Sequence, residues 1–117
     1  MPHSRRIGAE AENLAAQHLR DKGFIIVKRN YATDDGEIDI IALDGETLVF
    51  VEVKYRKEGS WQTPEESVSP AKRKRLWKAA EQYLAEVVGR ERDMRFDVVA
   101  IRGSEVRHYV DAFRPSP

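Results

Sequence analysis

Gly36-Glu37-Ile38-Asp39-Ile40-Ile41-Ala42-Leu43 and Leu48-Val49-Phe50-Val51-Glu52-Val53-Lys54-Tyr55, on either side of Asp44-Gly45, decide the fold of this 117-residue chain. Both runs are apolar and largely β-branched, and Asp-Gly between such runs is a strong turn signal. The segment therefore reads as an antiparallel hairpin of strands 38–43 and 48–55. Side chains alternate along a strand. Phe50, Glu52 and Lys54 then share one face, and Val49, Val51 and Val53 the other. On the first strand Glu37, Asp39 and Ile41 share a face, opposite Ile38, Ile40 and Ala42. A two-residue loop about Asp44-Gly45 sets Asp39 opposite Phe50, and a four-residue loop sets it opposite Glu52. Both keep Asp39, Glu52 and Lys54 on one side of the sheet, whereas a three-residue loop would split them.

Upstream, Ser4 reads as an N-cap. Ile7, Ala11, Leu14, Ala15 and His18 follow at helical spacing, Leu19 borders the stripe, and Gly23 is a natural stop. Residues 24–27 read as a strand and 30–36 as turn-rich. Downstream, 57–69 is polar and reads as a loop, and Ser69-Pro70 opens a helix with Pro at its first position. Leu76, Ala80, Tyr83, Leu84 and Val87 give that helix an apolar face, ending near Gly89. Residues 96–101 and 106–113 read as two last strands. The order α-β-β-β-α-β-β implies an α/β protein with a central mixed sheet flanked by helices. It forms a single domain over 1–117, with a flexible tail after about 113.

Composition narrows the function. The chain has no cysteine, which excludes disulfides and thiolate metal sites. No apolar run approaches the roughly 20 residues of a membrane span, so a soluble, cytoplasmic protein is expected. Lys+Arg and Asp+Glu are both 20, so the formal net charge is zero. Any affinity for nucleic acid must come from a local basic patch.

The hairpin carries the chemistry. Two carboxylates converging on one face repel each other unless a cation, a shared proton or solvent intervenes. Hard divalent cations such as Mg²⁺ or Mn²⁺ take such oxygen ligands and keep several waters. A lysine two residues beyond a ligand can orient a metal-bound water or stabilise charge on an attacked phosphate. The same acid-x-base spacing also suits ordinary surface pairing.

Asp39, a hairpin turn and Glu52-Val53-Lys54 resemble the D…(D/E)-x-K core of the restriction-endonuclease-like PD-(D/E)xK superfamily. The preceding helix and the GEIDIIA run (36–42) resemble archaeal Holliday-junction resolvases of that superfamily. GAEAENLAAQHL (8–19), RNY (29–31), GEIDIIA, VFVEVKYR (49–56), SVSPAKRKRL (67–76) and RFDVVAI (95–101) are together most similar to the bacterial YraN-like family. The superfamily resemblance implies a restriction-endonuclease-like core. It also implies a metal-dependent endonuclease acting on DNA, in repair or recombination, with Asp39 and Glu52 on the metal and Lys54 catalytic. A glutamate of the first helix often completes such sites. Glu12 fits that position as a border residue of the stripe, but at about 100° per residue Glu10 lies as far to the other side. The Val53 backbone carbonyl and Glu37 are further candidate ligands. Ile38 stands where the name-giving motif has Pro. A catalytically inactive nucleic-acid-binding or protein-interaction module is the alternative, and a homodimer is compatible with either.

Lys72, Arg73, Lys74, Arg75 and Lys78 form the densest basic cluster, in the first turns of a helix, where positive charge opposes the macrodipole. Lys72, Arg73, Arg75 and Lys78 are candidate phosphate contacts, against the alternative of a solvated helix face. Trp61 could stack on a base or pack over the sheet edge, and Gln62 and Glu65 share its loop. Trp77 reads as core. His3, His18 and His108 show no metal spacing. Arg95 and Asp97 read as a structural ion pair.

Overall fold

The structure, a computed structural model, describes residues 2–114, with backbone alone for residues 2–7 and Glu65. Its elements are α1 (Pro2–Asp21), β1 (Ile25–Ala32), β2 (Glu37–Asp44), β3 (Thr47–Arg56), α2 (Pro64–Ser67), α3 (Pro70–Tyr83), β4 (Met94–Arg102) and β5 (Glu105–Phe113). The side chains of His3, Ser4 and Ile7, the side chain of Glu65 and the tail 115–117 lie outside the described residues.

The hairpin forms with its turn one residue later than Asp44-Gly45. Asp44 pairs with Thr47, so Gly45-Glu46 is the loop, and Gly45 takes φ +61° at the position where a two-residue II′ turn wants glycine. Ile40 pairs with Val51 and Ile41 with Phe50. One step further this register sets Asp39 across from Glu52. A two-residue loop thus delivers the pairing expected of a four-residue one.

The sheet order is β1-β2-β3-β4-β5. Only β3 and β4 run parallel, and the other neighbours are antiparallel. A parallel step needs a long crossover, which α2 and α3 supply. The segment 57–69 is not all loop. Thr63 and Glu66 form a reciprocal capping box around the single turn of α2. Ser69 then caps α3, accepting from the Lys72 N–H, with Pro70 at the first position.

Both faces of the sheet are covered. Leu76, Ala79, Ala80 and Tyr83 of α3 pack on Ile38, Ile41, Leu48, Phe50, Phe96 and Val98. Ala11, Ala15, Ala16 and Leu19 of α1 pack on Ile40, Ala42, Val49, Val51, Val99 and Ile101. Three expectations change here. Helix α1 is rotated: Ala16 and Leu19 are fully buried while Leu14 is 42% exposed. Small alanines let the helix sit close to the sheet, and closeness outweighs the greater hydrophobicity of Leu14. The end of α3 passes into a π-helical turn, Leu84–Val88, before Gly89 at φ +75°. The extra residue per turn brings Val88 rather than Val87 to the core. Trp77 is half-exposed, its ring 6.1 Å from Phe96.

The strand at 24–27 is longer than expected and runs to Ala32, taking in Asn30 at φ +55°. Across from Asn30 the alternation of β2 breaks. Ile40 and Ala42 share a face, toward α1, but Ile38, expected on that same face, turns to α3. Asp39 is the residue at the break.

Candidate metal centre

Asp39 sits where the paired part of the hairpin ends. Its Oδ2 accepts a hydrogen bond from the Val53 N–H at 2.8 Å, so the side chain takes the place of a backbone partner. The N–H and C=O of one strand residue point to the same neighbour. The Val53 carbonyl therefore also faces the β2 side, past Ile40–Val51, where the ladder of the hairpin ends. The carboxyls of Asp39 and Glu52 are within hydrogen-bonding reach of one another. Burial, that contact, and the charges of Glu52 and Glu12 push the Asp39 carboxyl up to about 8, although the Val53 N–H works the other way. At neutral pH Asp39 thus keeps its proton unless a cation replaces it.

Glu52 is 4% exposed. Its Oε2 lies 2.8 Å from the Lys72 ammonium and 3.7 Å from that of Lys54, yet makes no aligned hydrogen bond. The close approach of Lys72 is therefore a charge contact rather than a directed bond. Asp39, Glu52 and Lys54 are brought together, and Lys72 joins them from the first turn of α3. A role for Lys72 at the carboxylates was not legible as such. Its position, three residues after the cap of a helix that crosses the sheet, emerges only from the packing.

Two carboxylates and a backbone carbonyl form an all-oxygen donor set, which suits a hard divalent cation that retains waters. The orphaned Glu52 Oε2 is a lone pair with no aligned donor. Among the described residues no cluster of three or more His, Cys, Asp and Glu side chains is close enough to hold a metal ion. Two carboxylates and one carbonyl could hold Mg²⁺ or Mn²⁺ only with waters completing the coordination.

The rotation of α1 chooses between the two glutamates. Glu12 lies on the side of Ala16 and Leu19 and points to the sheet, and Glu10 is exposed. Glu12 pairs with Arg29 at 3.5 Å. With its amide nitrogen turned to the carboxylates, Asn30 donates to Glu12 at 3.0 Å and to exposed Glu37 at 3.2 Å. Both acids are thus tied to Asn30 beside the centre rather than joined to Asp39 and Glu52 in one cluster. Asn30 is the residue of this site that the sequence hid. Its one signal is an Asn inside an otherwise β-forming run, since Asn tolerates a left-handed backbone better than most residues.

The basic cluster divides. Lys72 is committed to Glu52. Arg73 donates from Nε to the Val68 carbonyl at 2.9 Å and lies 5.7 Å from the centre of the Phe113 ring. Arg75, Lys74 and Lys78 are exposed. Beyond Lys54, Trp61 packs against the guanidinium groups of Arg102 and Arg107, at 4.7 and 4.4 Å from its ring centre. A cavity of about 20 Å³, with room for one water, is lined by Lys54, Arg56, Trp61, Gln62 and Arg102 among others.

Away from the centre, fully buried Asp97 accepts from Arg95 Nε at 2.9 Å, from the Asp111 N–H at 2.9 Å and from His108 Nε2 at 2.7 Å. Lys22 can only donate, so His108 Nδ1, 2.7 Å from its ammonium, is the acceptor and Nε2 carries the proton. His108 is therefore a satisfied structural histidine, and Arg95–Asp97 the expected ion pair. His18 lies edge-on to His108, with ring centres 6.3 Å apart.

The model of the uncharacterised protein family UPF0102 matches residues 11–101. A UPF0102 protein of Chlorobium limicola is 46% identical over 122 aligned positions, covering 96% of this chain and 93% of that protein. One of Stutzerimonas stutzeri is 46% identical over 103 positions, covering 86% and 85%. One of Rhodococcus opacus is 40% identical over 118 positions, covering 97% and 100%. The matched span includes α1 from Ala11, the whole hairpin and the first turn of α3. The chain belongs to the UPF0102 family.

Proposed function

We propose that this protein is a Mg²⁺- or Mn²⁺-dependent endonuclease acting on DNA, with branched and repair intermediates as the first substrates to try. On this reading the sheet is the core of a restriction-endonuclease-like fold related to the archaeal resolvases. The order α-β-β-β-α-α-β-β, with its short added turn α2 and its parallel β3–β4 step, supports that relationship. The observation that carries the proposal is the Asp39–Glu52 pair, two carboxyls in contact at a hairpin end, with ammonium groups beside the buried one.

A bound divalent ion would supply Lewis acidity toward a phosphoryl oxygen and lower the pKa of a coordinated water. Asp39, Glu52 and the Val53 carbonyl would hold that ion. Lys54, 3.7 Å from Glu52, orients the attacking water and offsets charge developing on the phosphate. Glu12 and Glu37, bridged by Asn30, fix the outer hydrogen bonds. Arg75 and Lys78 contact backbone phosphates. The protein would act in the cytoplasm, and two copies in a homodimer would offer one site to each strand of a duplex.

One observation favours a second reading. Among the described residues two acids, not three, converge, and lysine already compensates them. A catalytically inactive nucleic-acid-binding or protein-interaction module would need no more. A cleavage panel separates the two. Single-stranded, duplex, flapped and four-way-junction DNA are incubated with Mg²⁺ or Mn²⁺, with Asp39→Ala as the contamination control. Metal-dependent cutting that the variant loses supports the nuclease. Equal products from both proteins, or none from either, support the binding module.

A further inference from the structure

Lys72 does not behave as a member of the exposed basic face. Its ammonium reaches from the first turn of α3 to 2.8 Å from Glu52 Oε2, closer than Lys54 at 3.7 Å, and its side chain remains 38% exposed. Glu52 beneath it is 4% exposed. The contact is short but unaligned, so it rests on charge and can be exchanged for another cation. Lysine is a point charge on a flexible stem, and at the rim of a site it can swing outward without leaving its helix.

Charge balance gives the swing a direction. With both carboxyls ionised, Asp39 and Glu52 carry two negative charges, and Lys54 and Lys72 two positive ones. A divalent cation seated on the carboxylates leaves a double positive excess. Lys72 and that cation cannot both sit at hydrogen-bond distance from Glu52 Oε2 without strong repulsion. A phosphodiester arriving at the rim relieves the excess.

We propose that Lys72 is an exchangeable counter-cation of this centre, which neutralises Glu52 until a divalent ion displaces it and then pairs with the backbone phosphate of bound DNA. This rests on the metal-centre reading above and deepens it. Loading of metal and of nucleic acid becomes coupled, because the first releases the cation that recognises the second.

The test is Mn²⁺ binding by calorimetry at 0.15 M salt, without DNA, so that no activity is needed. Wild type, Lys72→Met, Lys74→Met and Asp39→Asn are compared. Methionine keeps the apolar stem of Lys72 over the sheet, and Lys74 is an exposed lysine two residues along. Lys72→Met should bind Mn²⁺ roughly tenfold tighter, as removal of a close charged competitor implies. Lys74→Met should change affinity less than about twofold at this ionic strength. Fluorescence anisotropy with a DNA duplex gives the second readout. Adding Ca²⁺, as a hard divalent cation, should strengthen DNA binding by wild type and do so much less for Lys72→Met. Unchanged or weaker Mn²⁺ binding by Lys72→Met, beside wild-type binding that Asp39→Asn abolishes, overturns the counter-cation and leaves the metal centre standing. No Mn²⁺ binding by either wild type or Lys72→Met overturns both.

Discussion

Asp39 is an acid held in a place that suits a neutral group. Its usual value of 3.8 is pushed up to about 8, first by burial and then by Glu52. Below pH 4 the carboxyl is protonated in both the folded and the unfolded chain and contributes nothing. Between about 4 and 8 the unfolded chain releases the proton while the folded one keeps it, so stability falls as pH rises through that window. Asp39→Asn keeps an acceptor for the Val53 N–H and removes the titration. It should therefore be more stable than wild type by roughly 1–3 kcal/mol at pH 8, the ordinary cost of a poorly compensated buried polar group, with the difference vanishing near pH 4. Urea melts across that range read it directly. Asn30 makes an opposite case, a strained residue retained for what it holds. Asn30→Ala removes the bridge between Glu12 and Glu37 and leaves a β-carbon at φ +55°. It should cost about 1–2 kcal/mol in the same melts.

Elements differ in how far the sequence reveals them. The hairpin, the Ser69-Pro70 helix start and the two last strands are legible because alternation, capping and turn chemistry are local. The convergence of Asp39, Glu52 and Lys54 follows from the same parity, independent of the one-residue shift of the turn. The rotation of α1 is not legible. Whether Leu14 or Ala16 faces the sheet is settled by close packing, and so is the choice of Glu12 over Glu10. Leu19→Ala should cost about 2–5 kcal/mol and Leu14→Ala little, whereas a helix turned as the spacing suggests would reverse the order. Circular-dichroism melts of the two variants decide it. The break of alternation at Asp39 is hidden for a similar reason: it depends on Asn30 in the neighbouring strand. Tying the sheet together, Asp97 links β4 to the bend at Asp111 and, through His108, to Lys22 just after α1. Burial alone would raise its pKa, but hydrogen bonds from His108, Arg95 and the Asp111 N–H hold it below the usual range. Its contribution is present above pH 4 and is lost as pH falls through the lowered value. Asp97→Ala, which strands three buried donors, should cost roughly 3–5 kcal/mol at pH 7.

Across the whole molecule, zero net charge conceals an uneven distribution. Arg75 and Lys78 stand exposed on α3, with Arg56, Arg102 and Arg107 beyond Lys54. No described helix is long and apolar enough to cross a membrane. If the exposed cations of α3 contact phosphates, Arg75→Ala and Lys78→Ala should each weaken DNA binding for every sequence. Each should also make log affinity against log salt shallower by about one unit. The proposed cation site is tested most directly by melting wild type and Asp39→Asn against increasing Mn²⁺. Wild type should gain roughly 5 °C in Tm at ten times Kd and keep rising with the logarithm of concentration, while Asp39→Asn begins higher and does not move. A wild-type Tm that ignores Mn²⁺, or one that rises equally in the variant, would contradict a cation site built on Asp39 and Glu52.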